Sequence, residues 1–116
     1  MMSIGVWNIR GLNKGVKQKE VMDVIKENNL GICAVLETHV KILNLKSVCA
    51  KTFGHCDWVS NNSCCEAGTR IIVGWNPRIV DVMVISQSRQ VIHCYVRFCE
   101  SNYSMYLSFI YAASNY

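Results

Sequence analysis

Two side chains that can ligate a hard metal ion stand at the ends of apolar runs. Asn8 ends a short strand-like segment, and Glu37 follows the continuous apolar run 31–36. Amide and carboxylate oxygens are donors that Mg²⁺ accepts while it keeps several waters. The pair therefore predicts a magnesium-type site. The competing interpretation is that Asn8 caps a turn and Glu37 is a solvated loop acid.

The segment between these two runs determines whether the pair can meet. In residues 17–29, apolar side chains recur at helical spacing, at Val21, Val24 and Ile25. A strand, a helix and a second strand form a βαβ unit, whose strands normally run parallel. The carboxyl ends of both strands then open on one edge of the sheet, where ligands bind in open α/β sheets.

The rest of the chain predicts one more helix and then mainly strands. The helix is expected over residues 43–53, with Gly54 as its cap. After it, apolar positions follow a period of two between turn segments. Strands are predicted at residues 57–60, 70–75, 80–85, 91–98 and 105–111. The summed prediction is an α/β fold in which strands outnumber helices.

Composition narrows the class of protein. The 116 residues are enough for one domain, or for one piece of a domain. Apolar residues make up 51% and charged residues 17%. This excess of apolar residues predicts that part of the apolar surface is covered by another chain or segment. The net charge of +4 favours a polyanion such as nucleic acid. The basic residues are scattered, however, as they are on ordinary solvated helix faces.

The seven cysteines are expected to be reduced. Their number is odd and no secretory signal precedes them, which disfavours a disulfide framework. Cys33 and Cys94 lie in apolar strand-like runs, where a thiol acts as a small hydrophobe. A zinc site is the alternative, although no C-x-x-C pair occurs; its conceivable ligands are His55, Cys56, Cys64 and Cys65. No run approaches the roughly 20 apolar residues of a membrane span, so no membrane partner is expected.

Four short motifs, taken in order, resemble one nuclease superfamily. They are WNIRGL at 7–12, CAVLETH at 33–39, GTRIIVGW at 68–75 and FIYA at 109–112. Together with the strand and helix pattern, they are similar to the opening of an endonuclease/exonuclease/phosphatase domain. The resemblance is closest to the endonuclease domains of plant LINE-type retrotransposons, and it runs over nearly the whole chain.

The resemblance implies a fold, an activity and a set of site residues. The fold would be the N-terminal part of a DNase I-like, four-layer α/β sandwich with mixed β-sheets. The activity would be hydrolysis of phosphodiester bonds, or nicking of DNA, with Mg²⁺ or Mn²⁺. Asn8 matches the family's active-site asparagine and Glu37 its metal-binding glutamate. Tyr111 matches a tyrosine beside the phosphate, unless it is a core aromatic. DNA is the implied partner, and the nucleus the implied location.

The sequence also departs from the family pattern. Arg10 stands where some relatives carry an acidic residue, so a metal contact at that position is lost. The family's phosphate-contacting asparagine lies three positions after the tyrosine. Here that position is Ser114, and the candidate is Asn115, one residue later. The later Gly-Asp-Phe-Asn-type segment and the Asp-His pair do not occur in the sequence.

These departures lower the expected activity. His39 would be poorly aimed as a general base, and His55 and His93 are interpreted as ordinary polar residues. Loss of a positioned base alone costs on the order of 10²–10⁴-fold in rate. We therefore expect residues 1–116 to form a partial domain with negligible nuclease activity alone. The missing half of the domain, or self-association through an exposed sheet edge, would cover its apolar surface.

Two alternative functions stay open at this point. One is a non-catalytic nucleic-acid-binding, or functionless, remnant of the same domain. The tryptophans Trp7, Trp58 and Trp75 are compatible with it, although tryptophans in strands are usually packing residues. The other is a small α/β interaction domain of unrelated ancestry, which would leave the four ordered motifs unexplained.

Overall fold

The predicted βαβ unit opens the fold. In the computed structural model, which describes residues 3–112, β1 (Ser3–Asn8) leads into α1 (Gly15–Glu27) and then into β2 (Leu30–Val40). The two strands pair in parallel, with Asn8 beside Leu36. The predicted parallel arrangement is confirmed, and α1 begins two residues earlier than its apolar spacing indicated.

The remaining elements follow the predicted order. The second helix fills the predicted segment and ends at Gly54, and one turn of 3₁₀ helix at Asn62–Cys64 precedes the fourth strand. The other elements are α2 (Ile42–Phe53), β3 (Asp57–Ser60), β4 (Thr69–Trp75), β5 (Val80–Gln87), β6 (Val91–Phe98) and β7 (Ser104–Ile110). Strand ends differ from the prediction by one or two residues, except in β2, which is longer.

The strands form two sheets. The first sheet has the order β1-β2-β4-β3 and is mixed, because β2 is parallel to β1 but antiparallel to β4. The second sheet has the order β5-β6-β7 and is antiparallel throughout. The predicted α/β class with two sheets is therefore confirmed. The first sheet is mixed, as expected, whereas the described strands of the second sheet are all antiparallel.

β2 lies at the centre of the layers, which explains its unbroken apolar run. Cys33 and Val35 pack with residues of α1 and α2 in one core cluster. Ile32 and Ala34 face the other way and pack with the second sheet in a separate cluster. Because successive side chains of a strand point to opposite faces, a strand buried on both faces must be apolar at every position.

The second sheet has one buried face and one mixed face, as the alternation in β6 predicts. Ile92, Cys94 and Val96 are buried, whereas His93 and Arg97 are exposed. Within residues 3–112, neither helix has the combination of length and apolarity that crossing a membrane requires.

Candidate functional site

The candidate metal ligands lie on adjacent strands at the same edge of the first sheet. Asn8 is the last residue of β1 and pairs in register with Leu36, the residue before Glu37. The backbone N–H of Ile9 continues the pairing and donates a 3.0 Å hydrogen bond to the Leu36 oxygen. Asn8 is exposed, and the Glu37 side chain retains 22% of its accessible surface. Both side chains are therefore open to solvent at this edge.

Glu37 lies in a distorted part of β2. The pairing register between β2 and β4 shifts between Leu36 and Val40, and the strand continues past Glu37 instead of ending there. Glu37 has a φ of 58° and His39 a φ of 54°. Side chains other than glycine seldom adopt this left-handed region, and each such residue costs about 1–3 kcal/mol. Contacts with the rest of the fold must hold this bulge in place.

Two contacts with the start of β4 hold the bulge. Thr38 is fully buried, and its hydroxyl donates a 2.7 Å hydrogen bond to the main-chain oxygen of Thr69. Gly68, with a φ of 105°, lies so close that a Cβ there would be 2.9 Å from the carbonyl oxygen of His39. The threonine of the LETH segment and the glycine of the GTR segment thus have a shared structural role.

Arg10 partly balances the charge of Glu37. Its Nη2 lies 3.5 Å from the Glu37 carboxylate, and its side chain is 81% exposed. An exposed contact of this length contributes little to stability. A cation that bound Glu37 would therefore displace Arg10 at small cost.

The donor set fits a magnesium ion that has few protein ligands. Within residues 3–112, no group of three or more His, Cys, Asp or Glu side chains is arranged to hold a metal. If both bound one ion, the carboxylate of Glu37 and the amide oxygen of Asn8 would leave the other positions to water and phosphate oxygens. Mg²⁺ is commonly bound in this way, through one or two carboxylates together with waters and substrate phosphates.

A second group of side chains lies beside the bulge. Nη1 of Arg70 lies 2.8 Å from Nδ1 and 3.0 Å from Nε2 of His39. The same guanidinium lies over the ring of Tyr111, with Cζ 5.6 Å from the ring centroid. Tyr111 is half-buried, and its N–H donates a 2.7 Å hydrogen bond to the oxygen of Gln90. Arg70 therefore links the bulge of β2 to the segment that follows β7.

The contact with Arg70 also affects the charge of His39. Burial lowers the pKa of His39 most, the charges of Arg70 and Arg10 lower it further, and Glu37 opposes them. A guanidinium can only donate hydrogen bonds, so the ring accepts from Arg70 in its neutral form. The lowered pKa favours the neutral form of His39, whose one accepting nitrogen faces Arg70.

A buried asparagine fixes the backbone at Arg70. The side-chain oxygen of Asn61 accepts hydrogen bonds from the N–H groups of Arg70 at 3.2 Å and Ile71 at 2.9 Å. Its amide nitrogen donates to the oxygens of Ser88 at 3.1 Å and Arg89 at 2.9 Å, in the turn between β5 and β6. One side chain therefore joins the two sheets next to the candidate site.

Of the four site residues predicted from sequence, three can be placed. Asn8 and Glu37 lie at the same edge of the first sheet, and Tyr111 contacts Arg70, which in turn contacts His39, two residues after Glu37. Asn115 lies outside the described residues. Sequence reasoning missed Arg70, although a charged residue near the start of an otherwise apolar strand was a usable signal.

The layered arrangement of two sheets and two helices is that of the DNase I-like fold, as the family resemblance implied. Solved structures that share it include the following two. The AP endonuclease LMAP from Leishmania major matches with a TM-score of 0.66 and 11% identity, over 93% of this chain and 39% of that one. The human Nocturnin catalytic domain with bound sulfate anion matches with a TM-score of 0.52 and 12% identity, over 89% of this chain and 48% of that one.

These likenesses establish the fold alone, because both identities are low. The chain spans less than half the length of either structure that it matches. No protein-family model matches the sequence, and no curated protein does.

Proposed function

We propose that this chain is the N-terminal part of a Mg²⁺- or Mn²⁺-dependent phosphodiesterase domain that acts on DNA, of the retrotransposon endonuclease type. The observation that carries the proposal is the position of Asn8 and Glu37 on adjacent strands of a DNase I-like fold. The net charge of +4 supports a polyanionic substrate. The retrotransposon resemblance supports a nuclear location.

Each residue of the site has a proposed role. Glu37 and Asn8 would hold the divalent cation, which when bound supplies Lewis-acid stabilisation of the charge on a scissile phosphate. Arg10 would release Glu37 as the cation binds, since their contact is exposed and 3.5 Å long. The hydroxyl of Tyr111 would donate a hydrogen bond to a phosphate oxygen. Asn115 is proposed as a further phosphate contact and lies outside the described residues.

The chain alone is proposed to be nearly inactive. A general base must reach the attacking water, and the nearest histidine, His39, has both ring nitrogens within 3.0 Å of Arg70. Without a positioned base, the rate falls by about 10²–10⁴-fold. The other half of such a domain would supply the missing groups, and the partial coverage of the two matched structures supports this division.

The same division accounts for exposed apolar side chains on strands. Val6 on β1 is 59% exposed, and Tyr106 and Ile110 on β7 are 74% and 62% exposed. β1 and β7 are both edge strands, which invite pairing with another chain or segment. We propose that the rest of the domain, or a second copy of this chain, covers them.

The metal site can be tested without activity. Mn²⁺ added to the labelled protein should broaden the NMR signals of Asn8 and Glu37 before all others. Glu37→Gln should abolish this selective broadening, because a neutral amide binds the cation weakly. Glu27→Gln, an exposed position at the end of α1, is the matched control and should change nothing. Selective broadening that persists in Glu37→Gln would show that the Glu37 carboxylate does not hold the metal and would end the proposal.

Activity is tested by Mg²⁺-dependent nicking of supercoiled plasmid, with circular dichroism to show that the chain is folded. Folded protein without nicking is the expected result. Nicking that disappears in Glu37→Ala would show that this chain completes the site by itself.

A non-catalytic, DNA-binding derivative is the second candidate function, and the excess of positive charge favours it. Salt-dependent DNA binding that survives Glu37→Ala, without selective Mn²⁺ broadening, would support this second function.

A further inference from the structure

Arg70 is a half-buried cation without a carboxylate partner in the described part of the chain. Its position in β4 is flanked by buried Thr69 and Ile71. Arg10 and Arg97 each have a carboxylate within 4.0 Å, whereas no carboxylate of residues 3–112 lies that close to Arg70. Removing a cation from water without pairing it with an anion is costly. An anion that binds next to Arg70 would therefore compensate for part of this cost.

The geometry leaves part of the guanidinium available. Nη1 is directed at the ring of His39, and the ring of Tyr111 lies beneath the group. Nε and Nη2 make no side-chain hydrogen bond with residues 3–112. The two rings restrict the orientation of the guanidinium plane, which lowers the entropy lost when it forms further bonds.

Arg70 is also close in the fold to the candidate metal ligand. His39 belongs to the same bulge as Glu37, and Tyr111 is the candidate phosphate-side tyrosine. An arginine fork matches two oxygens of one phosphate, through two parallel N–H···O bonds.

We propose that Arg70 binds the non-bridging oxygens of a nucleic-acid phosphate at this edge, and that His39 and Tyr111 are positioning residues for it. The inference rests on the proposed function, since the phosphate at Arg70 would lie beside the scissile phosphate that the metal at Glu37 would bind. It assigns to Arg70 a contact that positions the DNA backbone without reading sequence. A purely structural arginine would stabilise the bulge but leave DNA affinity unchanged.

The test is DNA binding without metal. Fluorescence anisotropy of a 20-bp duplex, in EDTA and over a range of salt concentrations, gives both the affinity and its salt dependence. Arg70→Gln should weaken binding by about tenfold or more, as expected for one charged hydrogen-bonded contact. It should also reduce the slope of log K against log salt by about 1. Arg70→Lys should keep the slope but not the full affinity.

Arg78→Gln is the matched control for charge. Arg78 is exposed in the connection between β4 and β5. Arg70 lies near the start of β4, whereas Arg78 lies beyond its other end. The Arg78→Gln variant should bind DNA with the same affinity and the same salt dependence as the unmodified protein. Equal effects of the two glutamine variants would overturn the proposal, as would failure of the unmodified chain to bind the duplex at low salt.

A second measurement needs no variant and covers the case in which Arg70→Gln does not fold. The Nε–H signal of Arg70 in a ¹H–¹⁵N spectrum should shift when the duplex is added, while that of Arg78 stays in place. An unshifted Arg70 signal at saturation would reject the inference. Because EDTA is present throughout, the shift of the Arg70 signal does not depend on a metal site at Glu37. Failure of the metal site and failure of the Arg70 contact can therefore be distinguished.

Discussion

The hydroxyl of Thr38 donates a 2.7 Å hydrogen bond to the main-chain oxygen of Thr69, and both residues are completely buried. Thr38 lies between Glu37 and His39, the two bulge residues with positive φ. Thr69 begins β4 and precedes Arg70. A single bond therefore connects the candidate metal ligand with the candidate phosphate ligand, through the backbone on either side.

Replacing Thr38 by valine should measure the strength of this connection. Valine has nearly the same shape but cannot donate, so the oxygen of Thr69 loses its buried partner. The free energy of unfolding in urea should fall by about 1–3 kcal/mol. Thr38→Ser keeps the hydroxyl and should lose less than Thr38→Val. Equal stabilities of Thr38→Val and the unmodified protein would show that the bond does not hold the bulge.

Replacing Gly68 by alanine should be more damaging than an ordinary glycine substitution. The added Cβ would lie 2.9 Å from the His39 oxygen, and the φ of 105° is unfavourable for alanine. We expect a loss of roughly 1–3 kcal/mol or more. Gly15→Ala is the control, because a Cβ there meets no atom within 4 Å and φ is not positive. That variant should gain about 0.4–1 kcal/mol. Thermal unfolding of the two variants compares them directly.

Local patterns predict most of the fold. The unbroken apolar run before Glu37 indicates a strand buried on both faces, and the alternation in β6 indicates which side chains are buried. Both predictions use only residues that are close together in sequence. The βαβ unit then predicts that Asn8 and Glu37 lie at one edge of the sheet, where the register of β1 and β2 puts them.

The details of the site depend on residues far apart in sequence, and local patterns could not predict them. β2 continues beyond Glu37 because Thr38 and Gly68, 30 residues apart, hold a backbone that glutamate and histidine do not favour. Arg70 contacts His39 across 31 positions. Neither the sequence spacing nor residue propensity indicates that these side chains meet.

Replacing Asn61 by alanine should show how strongly its side chain stabilises the connection between the two sheets. Asn61→Ala removes the acceptor for the N–H groups of Arg70 and Ile71, and the donor to the turn between β5 and β6. Stability should fall by about 2–4 kcal/mol, since several buried groups lose their partners. Hydrogen exchange at the Arg70 and Ile71 amides should accelerate beyond the change in global stability. Unchanged exchange at these two amides in Asn61→Ala would contradict the assignment.

The cysteines should differ in reactivity according to their burial. Cys33, Cys49 and Cys94 are buried, whereas Cys64 and Cys99 are exposed. Burial raises the pKa of Cys33 and Cys94 to about 11 and that of Cys49 to about 12. Thiolates are the nucleophiles, so iodoacetamide at pH 8 should label Cys64 and Cys99 in the folded protein and spare the other three. Peptide mass spectrometry before and after denaturation measures this, and rapid labelling of folded Cys49 would refute the described burial.

The same thiols should make the protein less stable in alkali. In the unfolded chain a thiol ionises near its ordinary value of 9.0, whereas Cys94 in the fold ionises near 11. Above pH 9.0 the unfolded chain therefore binds fewer protons than the folded one, and its population increases. The contribution of Cys94 is fully present below pH 9.0 and is lost as the pH rises towards about 11. In urea titrations across this interval, Cys94→Ala should lose less stability than the unmodified protein. An equally steep decline in both would assign the alkaline loss to other groups.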